Sequence, residues 1–404
     1  ELEFEKKKID VFSLVNKDSS FQILYGYFEN DTMVFKQRTY NQSVVMQDSS
    51  TLLKLPKQLI RKRITHAVSK DKGKVLLTTK DDKEQFLFFL YDTNIKKVVW
   101  EKTFLIPGQK NRNFKDLLLT DTGAFFIVVQ DNNSFEKELQ LISVNPFTDK
   151  HFFVDFNFGD KEKRSIFLDY DNKNKAFTAC GTYAEKRGKE TQGFYLIKKN
   201  INNLKEIETP KFIPFEERLY EDLLQGKKKK ARVLDDLRVK ELIHRNDGGV
   251  LIISEVTREF SRRNPYNTAT YPRDTYNPYS RRGWVDFYND DIVITNLNAE
   301  KEVDWNKVLY KKQFSQDDDA IFSSFFIMKT PSRMRFIYND EIKRNNTVSE
   351  YLMDPVGKVA RNSLLSTMYQ DMKLRFQDAI QISSNSIIVP SEKNYDLNLV
   401  KITY

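Results

Sequence analysis

The amino-acid sequence predicts an all-β chain, a seven-bladed β-propeller closed by its N-terminal strand. Three observations predict it. Of 404 residues, 31 are Phe and 19 Tyr against only 13 Gly, a balance that favours strands. A unit of strand, polar turn and strand recurs along the whole chain. Within the units the central strands are apolar at consecutive positions, as strands buried on both faces are.

The units follow in order. A weak first copy starts near residue 11, with strand segments 11–15, 21–28, 32–38 and 43–47. The second has segments 64–69, 74–78, 85–91 and 98–104, with the turn Asp71-Lys72-Gly73 after the first strand. The third has 116–119, 124–130, 138–144 and 151–156, with the turn Asp121-Thr122-Gly123. The fourth has 166–170, 176–183, 193–198 and 204–208. The fifth has 241–245, 250–255, 291–297 and 304–311. The sixth has 323–329 and 333–338, then a turn at Asp354-Pro355-Val356-Gly357. The last has 379–382, 386–389 and 397–404. It supplies only three strands, so Leu2 and Phe4, in a strand-like segment at 2–6, are expected to complete it. Closing the ring in that way removes exposed sheet edges. Two insertions, about 215–240 and 257–288, account for the long spacings. Without them the units average about 49 residues, near the length of a propeller blade. Residues 1–404 are therefore read as a single propeller domain.

The first insertion reads as helical, because Leu219, Leu223, Leu234 and Leu237 fall at near-helical spacing. Its lysine run, 227–230, reads as a solvated loop or helix end. The second is a long rim loop rich in arginine and tyrosine, with Pro265, Pro272 and Pro278 denying it helix. Arg and Tyr combine contact area with directional hydrogen bonds and dominate interface hot spots. Arg262, Arg263, Tyr266, Tyr271, Arg273, Tyr276, Tyr279, Arg281, Arg282 and Trp284 are accordingly the candidate partner-binding residues.

Composition limits the alternatives. Hydrophobic residues at 40% and charged residues at 30% describe a globular chain. Lys plus Arg is 66 and Asp plus Glu 57, a net charge of +9 spread among many acids, which does not by itself mark a nucleic-acid binder. One cysteine excludes an internal disulfide and a cysteine-based metal cluster. Cys180 reads as a buried small hydrophobe. His66, His151 and His244 lie in or beside strand segments and read as structural. No apolar run approaches the roughly 18 residues of a membrane helix. The chain begins with Glu1, which suggests a processed or trimmed N-terminus.

No dinucleotide fingerprint, phosphate loop, zinc-protease motif or nucleophile elbow is present. The stretch Asp169-Tyr170-Asp171-Asn172-Lys173-Asn174 resembles a calcium loop. It has lysine at a ligand position and no following glycine, so it reads as a solvated turn. Asp317-Asp318-Asp319 reads as a charged surface turn. No metal and no cofactor is expected. A carboxylate pair for glycan hydrolysis or lysis stays open, since nothing selects a pair among the 57 acids.

The segment Leu242-Ile243-His244-Arg245-Asn246-Asp247-Gly248-Gly249-Val250-Leu251-Ile252-Ile253-Ser254-Glu255 carries a resemblance. So do Tyr288-Asn289-Asp290-Asp291-Ile292-Val293-Ile294, the pair Asp304-Trp305, and the ending Asn398-Leu399-Val400-Lys401-Ile402-Thr403-Tyr404. Together they resemble exported β-propeller-like proteins of the Bacteroidota, mainly over 241–404. In length and in lacking catalytic motifs the chain is similar to plug components of the type 9 secretion translocon. This resemblance implies a non-enzymatic, periplasmic, protein-binding propeller associated with the outer membrane. Its partner would be a large outer-membrane β-barrel whose periplasmic opening it covers, with no nucleic acid and no insertion into the membrane. The alternative is a periplasmic propeller that cleaves glycans as a hydrolase or lyase.

Overall fold

The computed structural model describes residues 9–17, 20–41, 43, 45–60, 64–80, 85–104, 112–131, 139–148, 150–188, 190–224, 234–261, 285–318, 320–340, 347–366, 372–393 and 396–404. They form seven sheets in chain order, antiparallel but for one short parallel pairing, the blades of a seven-bladed β-propeller. Blade 1 is β1 (Asp10–Lys17), β2 (Ser20–Glu29), β3 (Thr32–Asn41) and β4 (Met46–Pro56). Blade 2 is β5 (Thr65–Val68), β6 (Lys74–Lys80), β7 (Phe86–Asp92) and β8 (Lys97–Phe104). Blade 3 is β9 (Arg112–Leu119), β10 (Phe125–Asp131), β11 (Leu139–Asn145) and β12 (Lys150–Phe156).

Blade 4 holds β13 (Lys161–Lys163), β14 (Phe167–Asp171), β15 (Ala176–Glu185) and β16 (Thr191–Asn200). The short β17 (Ile207–Glu208) turns back and pairs in parallel with β12 of blade 3. The outermost strand of blade 4 is instead β18 (Lys211–Pro214). The expected strand at 204–208 is thus reassigned. Its two paired residues serve the preceding blade, where Glu208 is buried and lies 3.5 Å from the Lys199 ammonium.

After α1 (Glu217–Leu224) comes blade 5: β19 (Leu237–His244), β20 (Val250–Ser261), β21 (Val285–Leu297) and β22 (Val303–Leu309), with β23 (Gln313–Gln316) added against β21. Blade 6 is β24 (Phe325–Lys329), β25 (Met334–Asn339), β26 (Thr347–Met353) and β27 (Val359–Ser366). Blade 7 is β28 (Ile380–Ser383), β29 (Ser386–Lys393) and β30 (Asp396–Thr403).

The chain divides into two compact units. The first comprises Glu1–Gly159, Leu168–Ala179 and Ile197–Pro210. The second comprises Asp160–Phe167, Cys180–Leu196 and Lys211–Tyr404. Blades 1–3 belong to the first, blades 5–7 to the second, and the strands of blade 4 are shared out.

In the first unit, β7 shows why its apolar residues are consecutive. Leu87, Phe89 and Tyr91 join one core with Phe12, Leu24 and Phe35 of blade 1. Phe86, Phe88 and Leu90 join another with Phe125, Ile127 and Val144 of blade 3. Successive side chains leave a strand on opposite faces, so each face meets a different blade. The turns are tied as well. Asp71 N–H donates to Asp121 Oδ1 at 3.0 Å, and Asp121 N–H donates to Asn172 Oδ1 at 3.1 Å. A relay of side-chain acceptors thus runs across the matching turns of blades 2, 3 and 4.

In the second unit the same two-sided rule holds. Val250, Ile252 and Val256 pack with Leu237, Leu242 and the helix residues Leu219 and Leu223. Leu251 and Ile253 pack with Phe325, Phe336 and Tyr338 of blade 6. Ile337 faces the other way, into a core with Ile387 and Val389 of blade 7.

Several boundaries differ from expectation. The described helix is Glu217–Leu224; Leu234 lies in a turn and Leu237 opens β19, and both are buried in the core that blade 5 shares with the helix. The outer strand of blade 1 starts at Met46 rather than at 43. The second insertion is strand at both ends, since β20 runs to Ser261 and β21 starts at Val285. The lysine run 227–230 and the closing segment 2–6 lie outside the described residues.

Candidate interaction arm

The extended ends of β20 and β21 form the most distinctive feature of the second unit. β19 follows β20 only to Leu237 opposite Val256. Beyond a bulge between Glu255 and Thr257, residues 257–261 pair with 285–289. β23 then pairs with 286–289 from the other side. The result is a three-stranded arm continuing blade 5. A bulge is the usual device for re-aiming a strand in this way.

Directly opposite residues share a face. The row Arg258, Tyr288, Phe314 therefore lies on one face of the arm. Phe260, two residues along, joins it. The Phe260 and Tyr288 rings meet edge to face at 5.9 Å, and Tyr288 and Phe314 lie 5.0 Å apart. The Arg258 guanidinium sits 5.5 Å from the Tyr288 ring centroid, a cation–π distance. It is also ion-paired to Asp290 and lies 3.9 Å from Asp236. Burial raises the Asp236 carboxyl pKa, and Arg258 opposes the rise. Phe260 is 53% exposed, so the face presents a large apolar ring to solvent beside an anchored cation.

The opposite face carries three buried polar residues, Asn289, Gln313 and Ser315, beside half-buried Phe287 and exposed Glu259. Beneath them the Lys311 ammonium, fully buried, lies 2.6 Å from the equally buried Glu255. Ser324 of the turn before blade 6 donates its hydroxyl to Glu255 at 2.8 Å.

The ten arginine, tyrosine and tryptophan residues from Arg262 to Trp284 lie outside the described residues. The described flanks of that loop supply Arg258, Phe260 and Tyr288 instead. No apolar–polar alternation marks them as one face, since Arg258 and Asp286 are charged and Phe287 stands beside Tyr288. Phe314 has no cue either, because β23 reads Gln-Phe-Ser-Gln and is too polar to suggest a strand.

Elsewhere the sequence candidates fall into structural places. His66, His151 and His244 lie in β5, β12 and β19, and His151 meets the rings of Phe104 and Phe153 edge to face. Cys180 is buried, and burial drives its thiol pKa up. The calcium-like stretch divides: Asp169 and Asp171 are buried in β14, with the Lys70 ammonium 2.6 Å from Asp169, while Lys173 and Asn174 are exposed in the turn that follows. Asp317 accepts the Val285 amide at 2.8 Å, and Asp318 accepts that of Ala320 at 3.0 Å. Among the described residues, no group of three or more His, Cys, Asp or Glu side chains is placed to hold a metal ion. No helix among them is long and apolar enough to cross a membrane. In the first unit a cavity of about 780 Å³ is lined by Ile9, Val11, Phe12, Phe28, Met33 and Ile60, with Asp10 and His66.

No protein-family model matches the chain, and no curated protein matches it. Solved structures share its chain path at low identity. An uncharacterized protein of Listeria monocytogenes EGD-e is 11% identical with a TM-score of 0.47, covering 95% of this chain and 92% of its own. The β-propeller domain of the Trilobed protease from Pyrococcus furiosus is 8% identical at 0.42, covering 98% and 95%. The Nup133 β-propeller domain of Vanderwaltozyma polyspora is 9% identical at 0.45, covering 98% and 100%. These are likenesses of path, and the fold assignment rests on the seven sheets themselves.

Proposed function

We propose that this chain is a non-enzymatic, protein-binding β-propeller and that the arm of blade 5 is where it meets its partner. One observation carries the reading: an exposed phenylalanine and an anchored arginine stand on a face backed by buried polar residues. Aromatic and arginine side chains held in place before contact lose little entropy on binding, and such residues carry most interface energy. The arginines and tyrosines between the two arm strands in sequence extend the same chemistry.

The finer reading comes from the resemblance noted in the sequence. It makes the chain a periplasmic plug of the type 9 secretion translocon, covering the inner opening of a large outer-membrane barrel. Net positive charge would favour docking on an acidic rim.

The test is affinity capture of the tagged protein from detergent-extracted membranes of its host, with mass spectrometry of what copurifies. A very large outer-membrane protein in near-equal amount is the expected result. Recovery of the protein alone would sink a stable plug role and turn attention to glycan turnover.

A further inference from the structure

The blades are joined by apolar cores. Among the described residues of the arm, those that are buried are Asp286, Asn289, Gln313 and Ser315, all polar. Beside its half-buried aromatic rings, the arm is therefore held by hydrogen bonds and by two ion pairs, Arg258–Asp290 and a buried one at the junction.

The buried pair is that of Lys311 and Glu255. The Lys311 ammonium donates to the Asn289 carbonyl at 2.7 Å and to Gln313 Oε1 at 2.8 Å. Both acceptors belong to the arm. Its third contact, Glu255 Oε1 at 2.6 Å, belongs to the blade below the bulge. The other Glu255 oxygen takes the Ser324 hydroxyl and lies 3.2 Å from the Lys240 ammonium. Gln313 continues the chain of contacts into blade 6 through the Asn339 carbonyl at 2.7 Å and the Ser324 amide at 2.8 Å. Asp291 accepts the Lys311 backbone amide at 3.1 Å. One ammonium thus bridges arm and blade, in a site where an unpaired charge would be costly.

We propose that Lys311 is a built-in ligand: its ammonium occupies an alkylammonium-binding site made by Glu255, Gln313 and the Asn289 carbonyl, and its presence latches the arm to the blade. Emptying the site releases the arm while the blades stay folded. The latch does not depend on the partner reading, since it concerns the arm's own attachment.

The experiment is hydrogen exchange with mass spectrometry on the full chain, comparing wild type with Lys311→Ala. Amides of 285–289 and 313–316 are expected to exchange about tenfold faster or more in the variant, because charge-assisted bonds are lost there. Amides of β25 and β29 are expected to keep wild-type rates. Added n-propylammonium, the missing end of the lysine side chain, is expected to restore arm protection, and the neutral n-propanol is not. Wild-type protection of the arm in Lys311→Ala overturns the proposal. So does equal rescue by amine and alcohol, or equal acceleration in all blades. Should that variant fail to fold, the double variant Glu255→Gln/Lys311→Met removes both charges and decides the matter. A folded double variant with a fast-exchanging arm supports the latch. Wild-type arm protection in it, or failure of it to fold, refutes the latch.

Discussion

Phe88 and Phe89 are neighbours in sequence but should be energetic strangers. Phe89 is fully buried and meets Phe35 of blade 1 edge to face at 5.0 Å. Phe88, equally buried, stacks on Phe125 of blade 3 at 5.4 Å. Each Phe→Leu change removes an aromatic contact and leaves a small gap, a cost of about 1–2 kcal/mol. A well-placed aromatic pair is worth about 0.5–1.5 kcal/mol beyond burial, so the cycles Phe35/Phe89 and Phe88/Phe125 should show coupling of that size. The cycle Phe35/Phe88 should be additive to within about 0.3–0.5 kcal/mol, because the two rings face different blades. Urea unfolding followed by tryptophan fluorescence reads these differences; Trp100 reports from beside Phe125 at 5.7 Å. Coupling of Phe35 to Phe88 as large as that to Phe89 would refute the two-sided blade packing.

Other consequences are equally open to measurement. Asp121→Ala removes the acceptor of the Asp71 amide and should cost about 1 kcal/mol in urea unfolding, whereas Thr122→Ala, whose side chain is outside the relay's acceptors, should cost less. Burial works to raise the Asp71 pKa, but the Ser69 hydroxyl and the Gly73 amide outweigh it and hold the carboxyl below its ordinary value. A lowered folded pKa contributes stability that is full above the unfolded value of about 3.9 and is lost as pH falls through the folded value. The stability gap between wild type and Asp71→Asn should therefore be flat near neutral pH and close in acid. Cys180, buried and with its thiol pKa raised, should resist iodoacetamide in the native protein and react only as its blade opens, as mass spectrometry over time would show.

Much of the fold could be read in advance because blade stacking leaves a mark in the sequence. Phe86–Tyr91 is apolar without alternation since two neighbouring blades bury it, and turns such as Asp71-Lys72-Gly73 punctuate the strands. The misreadings also have causes. Leu234 and Leu237 fall at helical spacing after α1, yet the core of blade 5 claims them. Residues 204–208 have the look of a strand for their own blade, but Ile207 and Glu208 pair in parallel with β12, a partner no local pattern reveals. The site was harder. Arginine and tyrosine richness pointed to the second insertion, whose ten candidates lie outside the described residues, while the residues that form the arm's face sit at its flanks and in the polar β23. Lys311 and Glu255 are separated by 56 positions, and only the bulge and the return of the chain bring their charges together.

The claim that the arm meets a partner is tested most directly by photo-crosslinking at Phe260. A photoreactive phenylalanine placed there should crosslink to the captured partner in host membranes. The same residue at Val356, 78% exposed in the β26–β27 turn of blade 6, should not. Crosslinks from 356 and none from 260 would contradict the account and move the interface away from the arm.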